Sequence, residues 1–273
     1  MHRSLRALAL LIGGLTLAAA CAKVPYTNRR QLNVIPDAVM NGVGKASYAD
    51  TLSSAHVQRG SADASTLTRV GQRISKVANK PKYNWEYRLI MEPKTVNAWC
   101  LPGGHIGFYT GILPVLQNEA GMAFVMGHEV GHAVARHGAE RMTQQLALVG
   151  GLAGLNSWIA GKKQLSTQER AAVMAAIGLG AEVGVMLPFS RAHESEADVI
   201  GMMYMANAGY PPAESLKVWD RMGAQGGAKP PAFLSTHPSD GKRKAHLNDW
   251  LPQAKNRFER SSHASDALAV KWR

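Results

Sequence analysis

Between Gln117 and His137 the chain reads QNEAGMAFVMGHEVGHAVARH, a mostly apolar, Ala-rich run without proline. This composition predicts a buried helix. On a helix, His128 and His132 project from one face, one turn apart, so both imidazoles can bind a single zinc ion. Glu129 then lies next to the first histidine, within reach of a metal-activated water as a general base. The run therefore predicts a catalytic metal site rather than two ordinary helix histidines.

The composition describes a globular chain with a basic surface. Its 273 residues suffice for one sizeable domain with extensions, and 46% of them are hydrophobic against 18% charged, unlike a disordered chain. The formal net charge of +12 favours anionic surfaces such as lipid headgroups, in a screened and non-specific way. No nucleic-acid-binding motif accompanies this charge, so no nucleic-acid partner is predicted.

The first 20 residues have the three parts of a signal peptide. A basic start precedes an apolar stretch at 7–17 and small residues at 18–20. The apolar stretch is short for a transmembrane helix. Cys21, directly after the small residues, resembles the modified cysteine of a bacterial lipobox, although the expected leucine at position 18 stands one place earlier, at Leu17.

Lipidation of Cys21 would make it the mature N-terminus and anchor the chain to a membrane. Ala22 follows it rather than an aspartate. The predicted location is therefore the periplasmic side of the bacterial outer membrane, with a soluble periplasmic protein as the alternative. The other cysteine is Cys100, so a lipidated Cys21 leaves no intramolecular disulfide. Cys100 is expected as a small, buried apolar side chain.

Hydrophobic periodicity outlines the elements before the histidine run. Apolar residues recur at helical spacing over about 64–79 and predict an amphipathic helix, whereas 38–60 has only weak helix or loop character. Alternating patterns predict three strands joined by short turns, at 85–91, 96–101 and 106–110. The prediction is an α+β fold, mainly helical, with a small sheet packed before the active-site helix.

The second half of the chain is predicted to be helical. Two apolar stretches, 146–160 and 171–187, are each shorter than about 20 residues, which favours packed or membrane-apposed helices over membrane spans. A further helix begins after a Ser190 N-cap and stops at Gly209 before two prolines. A final amphipathic helix is predicted at 213–222. The predicted order of segments is signal peptide 1–20, tether and N-terminal extension 21–60, zinc metallopeptidase domain 61–252 and polar tail 253–273.

The third metal ligand has to come from elsewhere, since a catalytic zinc takes three protein ligands and keeps one position open. The metzincin pattern is excluded, because Ala135 and Gly138 stand where it needs glycine and histidine. His137 would point about 140° around a continuous helix from His132, which is wrong for the same ion.

The run HESEAD at 193–198 supplies a better third ligand. Glu194 and Asp198 are four residues apart on one helix face. Glu194 can therefore bind the ion while Asp198 accepts a hydrogen bond from the far nitrogen of a ligand histidine. His193 and Glu196 are the alternative ligands, but neither has such an acid one turn later.

Three motifs together resemble those of peptidase family M48: HEVGH at 128–132, SRAHESEAD at 190–198, and STHP at 235–238 followed by Arg243. Two further runs, NAWCLPGG at 97–104 and YTNRRQL at 26–32, are similar to the strand before that family's active helix and to the opening of its bacterial lipoprotein members. The resemblance covers roughly 24–250.

This resemblance implies a gluzincin fold, one zinc ion per chain and endopeptidase activity. The family includes CAAX prenyl proteases, HtpX-like heat-shock proteases and mitochondrial inner-membrane stress proteases. The lack of convincing transmembrane spans argues against the prenyl-protease and HtpX branches, and the periplasmic lipoprotein subgroup is the predicted one. For that subgroup the implied function is quality control, the cleavage of misfolded or unassembled outer-membrane proteins, with the envelope assembly machinery as a further partner.

The implied chemistry assigns a role to each residue. His128, His132 and Glu194 hold zinc, which lowers the pKa of its water towards about 7, and Glu129 takes the proton. His237 has two alternative roles: a second donor to the oxyanion, worth about 10²–10³ in rate, or a fourth ligand that keeps the enzyme latent until substrate displaces it.

Two further predictions concern the surroundings of the metal. Arg243 is expected to anchor the loop of His237 or to pair with an acid near the zinc. An exposed strand edge is expected to pair with an extended peptide, which suits unfolded or misfolded chains of many sequences. The residues assigned to that edge are Asn97, Ala98, Trp99 and Cys100.

Three rival functions follow from the same residues. A chaperone-like lipoprotein would bind misfolded chains without cutting them, but binding alone does not need Glu129. An envelope scaffold would use zinc structurally, with His237 as a fixed fourth ligand. An aminopeptidase would need an acidic pocket for a free amine, and the sequence does not identify one.

Overall fold

A computed structural model describes residues 21–149, 190–225, 231–238 and 241–262. The predicted signal segment at 1–20, residues 150–160 of the first apolar stretch and the whole second stretch at 171–187 lie outside these ranges. Within them, an N-terminal hairpin of β1 (Cys21–Lys23) and β2 (Arg30–Leu32) precedes helix α1 (Asp37–Ser53). Helix α2 (Ala62–Ala78) follows, close to the predicted bounds of 64–79.

The predicted sheet is confirmed and has one additional short strand. Its strands are β3 (Val57–Gln58), β4 (Glu86–Ile90), β5 (Ala98–Leu101) and β6 (His105–Tyr109), in the order β3-β4-β6-β5. The central pair, β4 and β6, is parallel, and the two outer pairs are antiparallel. Strand β5 therefore stands at one edge of the sheet, and its neighbour β6 is followed in the chain by the elements that lead into the histidine helix.

A largely helical body follows the sheet. Its helices are α3 (Leu113–Leu116), α4 (Glu119–Val134), α5 (His137–Val149), α6 (Arg191–Asn207), α7 (Glu214–Ala224), α8 (Ala232–Thr236) and α9 (Gly241–Glu259). The predicted α+β class, mainly helical with a small sheet before the active helix, is confirmed. Among the described residues, no helix combines the length and the apolar character that crossing a bilayer requires.

The helices that frame the site begin at capping side chains. Ser61, Asn118 and Ser190 each accept a hydrogen bond from the backbone N–H three residues further on. Such caps satisfy a donor that the first helical turn leaves unpaired. Ser190 therefore starts α6 where the sequence predicted, and Asn118 fixes the start of α4, whose sixteen residues are all buried.

Helices α4 and α6 approach each other closely at two glycines. A Cβ atom on Gly127 would lie 2.8 Å from the carbonyl oxygen of Gly201, and one on Gly201 would lie 2.7 Å from the amide nitrogen of His128. Real side chains do not reach such distances, so the two backbones meet only because both positions lack a Cβ. The contact adjoins His128 and sets the spacing between the two helices that carry the predicted ligands.

Residues 21–60 differ from the predicted tether, because α1 is part of the core. Ile35, Met40 and Tyr48 are buried against Trp99 and its neighbours on the face of the sheet that α4 does not cover. The ring of Tyr48 packs edge-on against Trp99 with centroids 6.0 Å apart. Burying this second apolar face provides the stabilisation that orders the segment.

The C-terminal part also differs from the sequence-based prediction. The helix at 213–222 is confirmed as α7, but it is not the last, since α8 and α9 follow. Helix α9 runs to Glu259, past residue 252 where the polar tail was expected to begin. Leu247 and Ala254, seven residues apart on one face of α9, are fully buried, and α9 packs on α6. This apolar contact keeps the helix folded beyond residue 252.

Candidate metal centre

Helix α4 carries His128, Glu129 and His132 into the interior, where each side chain is at most 4% exposed. Helix α6 faces it and contributes Glu194, which is fully buried. The loop after α8 brings His237 to the same point. Three segments that are far apart in the sequence therefore converge on the predicted active helix.

Four possible ligand atoms from these segments form one cluster. They belong to His128, His132, Glu194 and His237, and all lie within 4.8 Å of one another. The two Nε2 atoms of His128 and His132 are 3.1 Å apart, and Nδ1 of His237 is 3.3 Å from His128 Nε2. Glu194 Oε1 lies 3.4 Å from His132 Nε2. All three predicted ligands are therefore brought together, with His237 as a fourth candidate.

The far side of His128 is bound by an acid, as predicted. Its Nδ1 lies 3.0 Å from Oδ1 of Asp198, which is completely buried. Burial raises the pKa of Asp198, but the adjacent Arg243 guanidinium and His128 outweigh it and lower that pKa. The ionised carboxylate accepts the Nδ1 proton of His128, so the Nε2 lone pair is directed at the cluster.

Arg243 joins the acids of this site to the loop of His237. Its Nε and Nη2 donate to the two oxygens of Asp198 at 2.7 and 2.8 Å, and its Nη1 pairs with Glu194 Oε2 at 2.8 Å. Nη1 also donates to the Pro238 carbonyl at 3.0 Å. The guanidinium lies over the Trp219 ring and is 3% exposed. Both alternatives predicted for Arg243, an acid partner and a loop anchor, describe the arrangement found.

The far side of His132 has a different partner, which the sequence analysis did not foresee. Its Nδ1 lies 2.9 Å from Nδ1 of His137, whose Nε2 lies 3.2 Å from Oε2 of Glu196. The sequence analysis excluded His137 as a ligand by assuming one continuous helix. Arg136, with φ of 61°, breaks the helix between α4 and α5. His137 is thereby turned towards the other nitrogen of His132.

Glu129 has the environment of a base. Burial raises its pKa, against the opposing charges of His237 and His128 and a hydrogen bond from the Cys100 backbone N–H. Among the described residues its Oε1 has no hydrogen-bond partner, and the His237 Nε2 atom is 3.5 Å away. A carboxylate with a raised pKa and one unused oxygen can accept a proton from a molecule bound in the site.

The charges around the cluster favour a bound cation. Burial, followed by the neighbouring imidazoles, lowers the pKa of His132 well below its ordinary value, so this ring is neutral. Burial raises the pKa of Glu194, but His237 and Arg243 outweigh it and keep this carboxylate ionised. For His237, burial lowers the pKa, and the carboxylates of Glu194 and Glu129 raise it further than burial lowers it.

These observations test whether a metal ion fits. Nδ1 of His128 donates to Asp198, and Nδ1 of His132 can donate to His137, whose other nitrogen faces the carboxylate of Glu196. In that arrangement the Nε2 atoms of His128 and His132 present lone pairs to each other at 3.1 Å. Two such lone pairs beside an ionised carboxylate repel one another unless a cation lies between them. Two imidazoles and one carboxylate are also a donor set typical of catalytic metal sites. The residues therefore fit the predicted ion.

The alternative ligands His193 and Glu196 lie away from the cluster. Nε2 of His193 is 2.9 Å from Oε2 of Glu140, and Glu196 is bound by Arg29 and His137. Their side chains point to the side of α6 that faces the N-terminal hairpin and the start of α5. Neither belongs to the group of atoms that can share one ion with His128.

The predicted substrate edge is an edge in topology but its side chains are not exposed. Strand β5 is outermost in the sheet, and Asn97, Ala98, Trp99 and Cys100 are each at most 5% exposed. The side chains are buried because one face of β5 packs on α4 and the other on α1, and peptide binding at this edge stays a prediction about its backbone groups. At the start of this edge, the Phe233 N–H donates to the Val96 carbonyl at 3.0 Å.

An HEVGH helix, an acid from a second helix and a small sheet before them define a metallopeptidase of the gluzincin class. Comparison with known proteins assigns the family. The sequence profile described as Peptidase family M48 matches residues 61–251. The chain belongs to this family and is a metalloendopeptidase.

Three relatives illustrate which known proteins this chain is similar to. The chain is 35% identical over 256 residues to the mitochondrial metalloendopeptidase OMA1 of Schizosaccharomyces pombe, covering 91% of this chain and 72% of the relative. It is 37% identical over 188 residues to OMA1 of Saccharomyces cerevisiae, covering 66% and 51%. It is 28% identical over 203 residues to the beta-barrel assembly-enhancing protease of Escherichia coli, covering 72% and 40%. The chain thus spans about half or less of two of these relatives.

These relatives contradict the predicted location. The outer-membrane lipoprotein was inferred from the N-terminal segment and from one subgroup of the family. The relatives with higher identity, 35% and 37%, have names that place them in mitochondria, whereas the bacterial protease is 28% identical. The prediction of a bacterial outer-membrane location is therefore corrected.

Proposed function

We propose that this protein is a zinc-dependent endopeptidase that cuts misfolded or unassembled proteins, as a quality-control enzyme. The observation that carries the proposal is the convergence of His128, His132 and Glu194 beside the carboxylate of Glu129. The name of the bacterial relative, beta-barrel assembly-enhancing protease, supports clients that have to assemble, such as beta-barrels. A chain that has failed to assemble offers the extended segments that an endopeptidase needs.

Zinc is the proposed ion because of its ligands. Two imidazole nitrogens and one carboxylate oxygen suit zinc, whereas magnesium and calcium prefer oxygen donors alone. When bound, zinc polarises the carbonyl of the scissile bond and makes a water molecule more acidic. Asp198 holds His128 in the tautomer that has its Nε2 lone pair free, and Arg243 keeps both acids of the site ionised.

Glu129 is the proposed general base. Its carboxylate accepts a proton from the attacking water and passes it to the amine that leaves when the peptide bond breaks. The raised pKa brings this carboxylate closer to neutral pH than an ordinary glutamate, which helps both transfers. The hydrogen bond from the Cys100 N–H fixes its orientation.

His237 has a place in both of its predicted roles. Its Nδ1 belongs to the ligand cluster, and its Nε2 faces Glu129 at 3.5 Å. We infer that His237 fills the fourth ligand position at rest and that substrate displaces it. After displacement, the ring donates a hydrogen bond to the oxygen of the tetrahedral intermediate.

The substrate is proposed to bind in an extended form along the outer edge of β5. The side chains of this strand are buried, but strand addition uses backbone groups and does not need exposed side chains. The same strand donates the Cys100 N–H to Glu129, so a peptide on this edge lies close to the base. Backbone recognition suits unfolded clients of many sequences.

The N-terminal part of the proposal is separate from the chemistry. A signal peptide at 1–20, a lipidated Cys21 and a metallopeptidase domain at 61–252 stay predictions. Mass spectrometry of the protein purified from its host tests the first two: a mature chain that begins at an acylated Cys21 supports lipidation, and an unmodified cysteine contradicts it.

The test of the enzymatic proposal compares Glu129→Gln with the unmutated protein in two measurements, zinc content and cleavage of unfolded casein. We expect about one zinc in both proteins and cleavage in the unmutated one, with loss of at least about 10³-fold in rate in the variant, because the base is lost but no ligand is. Glu92→Gln, which alters an exposed glutamate, is the matched control.

The other outcomes discriminate among the rival functions. Zinc in both proteins without cleavage in either points to latency, which His237→Ala should then relieve. If His237→Ala also stays inactive while Glu129→Gln still prevents client aggregation, the protein is a holding chaperone. A folded protein that contains no zinc would contradict the metal site itself.

A further inference from the structure

The segment between β1 and α1, residues 24–36, crosses the end of the active helix, and we name it the N-terminal strap. It lies outside the range 61–251 that matches the family profile. Gln31 Nε2 donates to the carbonyl of Ala135 at 2.6 Å, next to the end of α4. Arg136 donates back to the Ile35 carbonyl at 2.6 Å. The strap is therefore attached to the helix that carries His128 and His132.

Arg29 of the strap binds two acids that come from different helices. Its Nη1 and Nη2 donate to the two oxygens of Glu140 in α5, at 2.8 and 2.7 Å. Its Nε donates to Oε1 of Glu196 in α6 at 2.7 Å, where Thr27 Oγ1 also donates at 3.1 Å. Both glutamates are at most 6% exposed. One guanidinium thus neutralises two nearly buried carboxylates.

His137 connects Glu196 to the metal ligand. It is fully buried, with Nε2 3.2 Å from Glu196 Oε2 and Nδ1 2.9 Å from His132 Nδ1. Its ring stacks on His193, with centroids 4.3 Å apart and planes 16° from parallel. His193 is in turn bound to Glu140 at 2.9 Å. The ring of His137 is therefore fixed in position by two neighbours, besides its contact with His132.

The hydrogen bonds that connect Glu196, His137 and His132 are consistent with only one assignment of donors and acceptors. Glu196, paired with Arg29, is an acceptor, so the Nε2 atom of His137 carries a proton and donates it. A neutral imidazole carries a single ring proton, so the Nδ1 atom of His137, 2.9 Å from His132 Nδ1, is an acceptor. His132 must then donate from Nδ1, which leaves its Nε2 lone pair directed at the ligand cluster.

We propose that Arg29 and His137 are positioning residues for the metal ligand His132, so that the N-terminal strap is part of the metal centre. Arg29 holds Glu196 as an acceptor, Glu196 sets the tautomer of His137, and His137 orients the ring of His132. This inference rests on the proposed metal site and adds to it a segment outside the matched family range.

The experiment measures how fast zinc leaves the full-length protein after addition of a chelator, well below the unfolding temperature, so that each rate refers to folded molecules. His137→Phe keeps a ring over His193 but cannot accept or donate, and we expect zinc to leave about 10–100-fold faster. Arg29→Gln should give a smaller increase in the same direction. His137→Gln, whose amide can accept from His132 and donate to Glu196, should restore much of the loss.

Arg30→Gln is the matched control for Arg29→Gln, because Arg30 is the exposed neighbour in the strap. Chelation rates equal to the unmutated protein in both His137→Phe and Arg29→Gln would overturn the proposal. So would a loss of zinc in His137→Gln as large as in His137→Phe, because restoring the two hydrogen bonds would then have no effect. If the unmutated protein binds no zinc, the proposed function fails first, and the two failures are distinguishable.

A second measurement does not depend on how well the variants fold. Long-range ¹H–¹⁵N spectra of the zinc-loaded, unmutated protein report which nitrogen of each imidazole carries the proton. We expect the proton on Nε2 of His137 and on Nδ1 of His132. A proton on Nδ1 of His137 would reverse the direction of the chain and contradict the proposal.

Discussion

The two histidines of the active helix are supported in different ways. His128 reaches an acid directly, Asp198, with Arg243 behind it. His132 reaches its acid through a second imidazole, His137, and the arginine behind that acid comes from the N-terminal strap. Each series thus leads from a ligand histidine to a carboxylate and then to an arginine, and the second series has an additional imidazole. Both carboxylates lie on α6, but one arginine follows α6 in the sequence and the other precedes the active helix.

The difference shows which support is more sensitive to mutation. Arg243 is 3% exposed, whereas the Arg29 side chain is 29% exposed and shares its charge between two helices. Breaking a buried charge pair leaves an unpaired ion in the protein interior, but water can partly replace the hydrogen bonds of a partly exposed arginine. We therefore expect the support of His128 to be costly to break and that of His132 to be more readily adjusted.

The largest expected effect is that of Arg243→Met. It removes the counter-charge of Asp198 and Glu194, both fully buried, and should lower the free energy of unfolding by about 3–5 kcal/mol. Urea denaturation of the zinc-free proteins measures it without the contribution of the metal. Lys244→Met is the matched control: its ion pair with Asp220 is about half exposed, so a change of about 0–1 kcal/mol is expected. Equal effects of the two substitutions would contradict the distinction between buried and exposed pairs.

Gly201→Ala should have a smaller effect, but it should displace both Asp198 and Glu196, the acids behind His128 and His132, because both lie on α6. The added Cβ would lie 2.7 Å from the His128 amide nitrogen, which is backbone and cannot turn away, so α6 must shift. Overpacking of this kind costs about 1–3 kcal/mol. Gly223→Ala, with nothing within 4 Å of its Cβ, is the control and should be neutral or slightly stabilising. Thermal unfolding and zinc content measure the two consequences, and unchanged zinc binding in Gly201→Ala would disprove the proposed spacing role.

The smallest expected effect is a change in acid stability. Burial raises the pKa of Glu140, but hydrogen bonds from Arg29 and His193 outweigh it and lower that pKa to about 2. The stabilisation from Glu140 is thus complete above its unfolded pKa of about 4.5 and is lost as the pH falls towards 2.

Arg29→Gln removes the main partner of Glu140, so the folded-state pKa of Glu140 should rise towards 4.5, and less stability should be lost between pH 4.5 and 2. Urea midpoints between pH 2 and 6 for the unmutated protein, Arg29→Gln and the control Arg30→Gln would reveal the shift. Parallel pH profiles for all three would mean that Arg29 does not hold the charge of Glu140 in the folded state.

The comparison also explains what the sequence could predict. Asp198 lies four residues after Glu194, so one local spacing was enough to predict both, and Ser190 marked the start of their helix. The hydrogen bonds from His132 through His137 to Glu196 could not be predicted by the same rule. They depend on Arg136 leaving the helical conformation, and the helical spacing assumed in the analysis does not hold across that break.

Segments held by distant contacts were the least predictable. Helix α1 has little amphipathic pattern, and its place is set by the sheet: a Cβ on Gly44 would lie 1.9 Å from the carbonyl oxygen of Pro102. Helix α9 is polar over most of its length and is held by a few buried residues such as Leu247. In both cases the order comes from tertiary packing, which a local pattern does not contain.

The location of Arg29 and Arg243 also has a consequence for synthesis. The two arginines that support the ligand histidines are separated by more than 200 positions, on opposite sides of the active helix in the chain. A ribosome synthesises Arg29 early and Arg243 late. A growing or truncated chain that lacks Arg243 thus contains the HEVGH motif without the arginine that supports Asp198 and His128. The protease is expected to stay inert towards neighbouring nascent proteins until Arg243 has been synthesised.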